Sequence, residues 1–189
     1  MKNHFLKSSL LLSVLALLLF SACKKETTTP DDLNIVHVTL NKPITTVIGG
    51  VSLDSIDINR DGLCELVIEL RNVAGDSGIT AFSTKSQYIE LAIEGLLPVP
   101  YVKIFNKGES QPISSSAYKF AGYFSIKNTG YRVGIINNAD KYLSFRFRTG
   151  TKFNYGWMKV NLNSAYTELK IIDYAYSILP DTPIAIGAE

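Results

Sequence analysis

Histidine is almost missing from this 189-residue sequence: of two, His4 precedes an apolar N-terminal run and only His37 falls in the long stretch that follows it. A histidine-based metal cluster is thereby excluded unless carboxylates supply the remaining ligands. His37 sits in a strand-like pattern beside Val36 and Val38, and there is no serine-elbow motif for it to serve. Cysteine is equally scarce, at Cys23 and Cys64. If Cys23 is chemically occupied, Cys64 has no intrachain partner, so the chain must rest on its core and not on disulfides. Charge of one sign is lacking too. Lys and Arg number 19 against 17 Asp and Glu, and no basic block stands out. That balance excludes nucleic acid or a strongly anionic surface as an expected partner, because phosphate binding needs an excess of cations on one face. Helical periodicity is rare, and beyond the N-terminus no apolar run is long enough to span a bilayer.

What is present begins with an export signal. Lys2 and Lys7 carry positive charge, an apolar run from Leu10 to Phe20 is broken only by Ser13, and small residues stand at Ser21 and Ala22. The run supplies roughly half of the 20 or so apolar residues that a spanning helix needs. It is therefore expected to be cut at its end. Phe20-Ser21-Ala22-Cys23 resembles the lipobox of bacterial lipoproteins, with Phe20 where Leu is usual. The resemblance implies a diacylglycerol on the Cys23 sulfur and acylation of its new amino group, and several acyl chains anchor stably where one does not. The other reading is an ordinary secretory signal that leaves Cys23 unmodified. Removing Lys2 and Lys7 with the signal leaves 17 basic residues against 17 acidic ones. Residues 24–32 are polar throughout and read as a flexible tether. The expected organisation is a signal over 1–22, a lipidated cysteine and tether over 23–32, and one domain over 33–189. The expected address is the bacterial outer membrane, facing the periplasm or the cell surface.

Alternation dominates the domain. Cys64, Leu66, Ile68 and Leu70 are apolar with Glu65, Glu69 and Arg71 opposite, predicting a half-buried strand with Cys64 inside. Leu143, Phe145 and Phe147 alternate with Ser144, Arg146 and Arg148, and Met158, Val160 and Leu162 with Lys159, Asn161 and Asn163. Thr149-Gly150-Thr151 is the turn between these two. Further strands are expected over Ile35–Leu40, Val51–Ile58, Tyr88–Ile93, Tyr101–Phe105, Tyr118–Ile126, Tyr131–Ile136 and Leu169–Tyr176. Roughly ten short strands at this spacing predict an all-β fold, an antiparallel β-sandwich with the jelly roll as one form of it. A closed barrel fits the same pattern.

The most specific polar constellation runs from Asp57 to Glu65. Oxygen-bearing side chains at alternate positions converge when the backbone curls, Gly62 permits the sharp bend, and calcium prefers several oxygen ligands. The expected donors are the side chains of Asp57, Asn59, Asp61 and Glu65 with the Leu63 carbonyl, and Asp54 is a weaker fifth side chain. The spacing matches the opening of an EF-hand loop, but the twelfth position is Ile68 and the flanks read as strands. It is more similar to the aspartate-rich loops between strands of integrin-type propeller blades. The competing reading is a solvated turn whose carboxylates only cap backbone amides.

Four segments near the C-terminus carry a second resemblance: Tyr142 to Phe147, Tyr155-Gly156-Trp157 and the residues to Val160, Ile171 to Tyr176 with Asp173-Tyr174-Ala175-Tyr176, and Pro183 to Gly187. They resemble the ending of a class of uncharacterised secreted bacterial proteins, many of the PEP-CTERM type. Members tend to carry an Asp-rich loop before an early strand, which residues 57–65 echo. The resemblance implies an extracellular β-sandwich and no particular activity, and here no sorting tail follows Glu189.

Tyr155, Trp157, Tyr174 and Tyr176 are candidates for a carbohydrate platform, since flat amphipathic rings stack on sugars. The competing reading is that they plug or cover the fold. Acid pairs such as Glu65 with Glu69 and Glu90 with Glu94 lie at two-residue multiples, and a hydrolase of surface polysaccharide would need two such carboxyls across a cleft. The expectation is a non-catalytic, lipid-anchored module with structural calcium, contacting a glycan or a surface protein, with that hydrolase as the alternative.

Overall fold

The computed structural model describes residues 34–73, 77–84, 89–94, 100–128, 131–135 and 138–189. The expected signal, Cys23 and the tether lie outside the described residues, as do Tyr88 and Ile136 at the ends of two expected strands. The described part is all-β, with no α-helix among the described residues.

Its strands are β1 Ile35–Thr45, β2 Val51–Ile56, β3 Leu66–Val73, β4 Ser77–Thr84, β5 Ile89–Glu94, β6 Tyr101–Val102, β7 Ile104–Phe105, β8 Tyr118–Lys119, β9 Ala121–Asn128, β10 Tyr131–Gly134, β11 Lys141–Thr149, β12 Lys152–Leu162 and β13 Glu168–Ser177. They form one mixed sheet in the order β1-β13-β12-β11-β5-β6-β9-β4-β3-β2, with β7 on β11, β8 on β5 and β10 on β9. β5 is the joint. Ile89 to Leu91 pair with β11, while Ile93 and Glu94 pair with β6, so one strand belongs to two ladders. All pairings are antiparallel except β6 with β9, a parallel contact at Tyr101 and Tyr123.

The sheet nearly closes on itself. β1 and β2 are its two ends, and no ladder joins them among the described residues. A side chain spans the seam instead: Lys42 Nζ donates to Asp54 Oδ1 at 2.8 Å and to the Ser55 carbonyl at 2.9 Å. Inside lie Ile56, Leu66, Ile68, Leu70, Phe82 and Phe124 from one ladder, facing Leu143, Phe145, Met158, Val160, Leu169 and Ile171 from the other. Period-two patterning put these side chains there, since alternate residues of a strand leave opposite faces.

Several expectations need correction. Cys64 and Glu65 precede β3 and are not part of it: Cys64 is half-buried and Glu65 is buried. The strand expected over Val51–Ile58 stops at Ile56, because the Asp57 to Glu65 loop begins there. Tyr101–Phe105 and Tyr118–Ile126 are each broken into two strands, which lets their halves pair with different neighbours. β4 was not expected, since Gly78, Thr80, Ala81 and Ser83 dilute its alternation. Ser144 and Arg146 have the outward parity predicted for them, yet both are buried, because the outer face of β11 and β12 carries a second layer.

Candidate functional site

The loop between β2 and β3 is built by its own side chains. Asp57 accepts the Arg60 N–H on Oδ1 at 2.6 Å and the Gly62 N–H on Oδ2 at 2.8 Å, which curls the chain back. The curl needs left-handed backbone at Arg60, φ 63°, and Gly62, φ 91°; glycine adopts this without penalty and arginine does not. The Arg60 side chain lies close enough to the Tyr174 hydroxyl of β13 to lower its pKa against the rise that burial causes. Asp61 accepts the Leu63 N–H on Oδ1 at 2.8 Å and Asn59 Nδ2 on Oδ2 at 3.0 Å, while Asn59 Oδ1 accepts the Asp61 N–H at 3.0 Å. Glu65 turns inward and accepts the Ile58 N–H at 2.8 Å.

The result gathers one carboxylate oxygen each from Asp57, Asp61 and Glu65 within 4.8 Å of one another. Burial pushes the Glu65 carboxyl above its usual range, and the nearby charges of Asp57 and Asp61 push the same way against the bond from Ile58. Three acids this close repel, and a hard cation would relieve that. Each bonded oxygen keeps a second lone pair for such an ion. Of the predicted donors, the three acids converge. Asn59 is spent on Asp61 at both ends of its amide, and Leu63 is exposed on the loop. Asp54 does not join them, because it serves Lys42 and the Ser55 N–H at the seam.

The aromatic candidates do not share a surface. Register puts Tyr174 opposite Met158 and Tyr176 opposite Gly156 on the inner face, whereas Trp157 lies opposite Ala175 on the outer face. An irregularity beside Lys159 and Val160, with Ile172 as the extra residue of β13, sets this parity. Trp157 is 1% exposed and Tyr155 is 4% exposed, so an exposed sugar platform on these two rings is not what the chain builds. Ile184 and Ile186 pack on them, and Trp157 Nε1 donates to the Ala188 carbonyl at 2.9 Å. The cover over both rings is the C-terminal segment, which the alternation along β12 does not announce.

Beneath the same cover lies a polar group that sequence reasoning missed. Arg146 Nε donates to Glu90 Oε2 at 2.8 Å, both side chains buried, with the guanidinium carbon 4.0 Å from the Phe153 ring centre and 4.5 Å from that of Tyr118. Tyr118 bonds the Pro112 carbonyl and Ser144, and burial pushes its hydroxyl pKa to about 12. Gln111 bonds Ser144 and the Gly156 carbonyl and accepts the Ile184 N–H, so it ties the two covering segments to the sheet. The acid pairs weighed for hydrolysis are thus engaged at three of four positions: Glu65 on Ile58, Glu69 on Arg71 and Glu90 on Arg146.

Comparison with protein-family models, with curated proteins and with solved structures finds no match for this chain.

Proposed function

We propose that this chain is an exported bacterial lipoprotein, anchored through lipid on Cys23 at the outer membrane, whose β domain is a non-catalytic binding or structural module stiffened by calcium in the loop from Asp57 to Glu65. The observation that carries the calcium reading is the convergence of three carboxylates within 4.8 Å at one strand junction. The amide bonds made by the same oxygens are what a plain capped turn would also show, so the ion is the point to test. The likeness of the C-terminal segments to secreted bacterial β-sandwich proteins belongs to this proposal. So does the finer fold reading, a jelly-roll-like sandwich, which draws support from two ladders that meet through the short strands β5 and β6. A glycan or surface-protein partner would have to use a face other than that of Tyr155 and Trp157.

The test is thermal unfolding of the full chain with excess calcium and with chelator. A site in the millimolar class, at about 10 mM calcium, stabilises by roughly 1.4 kcal/mol. For a domain of this size that raises the midpoint by about 3–6 °C, and Asp57→Asn should abolish the difference. An unchanged midpoint removes calcium from the reading. Mass spectrometry of the membrane-extracted chain tests the anchor separately, and a bare Cys23 removes that.

A further inference from the structure

The two ladders differ in what covers their outer faces. The outer face of β11 and β12 lies under the C-terminal segment, with Ile184 and Ile186 packed on it. The outer face of β2, β3 and β4 has no such cover among the described residues, and its edge strand exposes two large apolar side chains beside the Glu69 and Arg71 pair: Val51 is 53% exposed and Leu53 68%. Adjoining exposed apolar side chains on an uncovered sheet are a feature of interaction surfaces.

We propose that a second copy of this chain covers that face, the two copies meeting about a twofold axis. The argument is in the register. Val51, Arg71 and Ile79 form one row across β2, β3 and β4, and Leu53, Glu69 and Ala81 form the next outward row. Between them runs the inward row Ser52, Leu70 and Thr80. A twofold axis laid along that middle row, in the plane between two stacked copies, exchanges the two outward rows. Arg71 then sits over Glu69 of the second copy and Glu69 over its Arg71. Val51 meets Leu53, and the large Ile79 meets the small Ala81. An isologous interface requires this pattern, in which one residue contacts another and the reverse contact also holds.

The charges single out the occupant. Within one copy Arg71 Nη2 lies 2.8 Å from Glu69 Oε1, a largely exposed pair that contributes little by itself. Closed between two sheets, the two acids and two bases form a neutral square whose attraction is less screened by water. A strongly charged partner would leave one member of the pair unmatched; a second copy matches both. The inference is independent of the calcium and anchor readings.

Sedimentation velocity of the full-length chain in mild detergent, over roughly 1–100 µM, spans the affinity range of interest. A monomer–dimer equilibrium is expected. Glu69→Arg and Arg71→Glu should each weaken it at least about tenfold, since each replaces two attractions by two repulsions, and the double swap should regain most of the loss. Leu53→Ser, which leaves both charged residues in place, should weaken it as well, so a folding defect in a charge variant, visible by circular dichroism, cannot shield the idea. A chain monomeric throughout overturns the proposal, as does a dimer indifferent to all four variants, or a double swap no better than the singles.

Discussion

Arg146 and Glu90 offer the sharpest test of how the covered face is held. Arg146 is 4% exposed and its guanidinium is sandwiched between Phe153 and Tyr118, so its charge is balanced chiefly by one carboxylate. Removing either partner leaves the other charged and out of water, which costs about 3–5 kcal/mol. Glu90→Gln and Arg146→Met should therefore each lower the unfolding midpoint by roughly 6–20 °C for a domain of this size. The double variant should be less harmful than the sum of its parts. Methionine can still fill the slot between the two rings, and glutamine then faces no stranded charge, so the coupling should exceed about 1 kcal/mol. Urea unfolding followed by circular dichroism, on the four proteins of the cycle, measures this. Strict additivity would refute the claim that burial makes the pair interdependent, and a loss under about 1 kcal/mol for either single variant would show that water reaches the site.

Other consequences are as direct. At the seam, burial raises the Asp54 pKa, but the Lys42 bond, the Ser55 N–H and the Lys42 charge outweigh it and hold the carboxyl below its ordinary 3.8. A depressed folded-state pKa gives stability that is present above pH 3.8 and lost as pH falls through the folded value. Asp54→Asn should flatten the acid limb of the midpoint–pH curve by under about 1 kcal/mol, the pair being partly exposed. Gly156 lies under Phe145: a Cβ there would sit 2.3 Å from Phe145 Cζ and 2.6 Å from the Ala175 carbonyl. Gly156→Ala should thus cost about 1–3 kcal/mol in denaturant unfolding, and a neutral effect would show that the ring can move aside. Trp157 is the single tryptophan, so emission reports its cover. Deleting residues 184–189 should shift emission to the red and open it to acrylamide, and an unchanged spectrum would mean the C-terminal segment is not the shield.

Period two was legible wherever one face of a strand meets the core. Leu66, Ile68 and Leu70, or Met158, Val160 and Leu162, are inside as their alternation says. It fails in two physical circumstances. A strand covered on both sides keeps its parity but loses the inference that polar means exposed, which is why Ser144 and Arg146 were misjudged. A bulge shifts parity without a clear sequence mark: one extra residue at Ile172, opposite the irregular stretch of β1 where Asn41 has φ 48°, turns Tyr174 and Tyr176 inward. The loop from Asp57 to Glu65 was legible because its oxygens are spaced locally. Its deeper feature, Glu65 turned in to the Ile58 amide, depends on where β3 begins. The Arg146 and Glu90 pair joins strands 56 residues apart, and no local pattern announces it.

β2 is the strand on which these threads meet. Among the described residues it is laddered to a neighbouring strand on one side only, and Lys42 reaches its other side. The loop that follows it brings Arg60 near Tyr174 of the far ladder. An edge strand tied by side chains opens more readily than one held by two ladders, because fewer backbone bonds must break. The candidate cation loop sits at one end of this strand and the self-complementary row of Val51 and Leu53 lies along it. Anything that favours its closed position, an ion on the loop or a second copy on the face, stabilises the same local state. Two ligands that select one state strengthen one another by equal factors. This edge strand is for that reason the place where binding at either surface would be felt at the other.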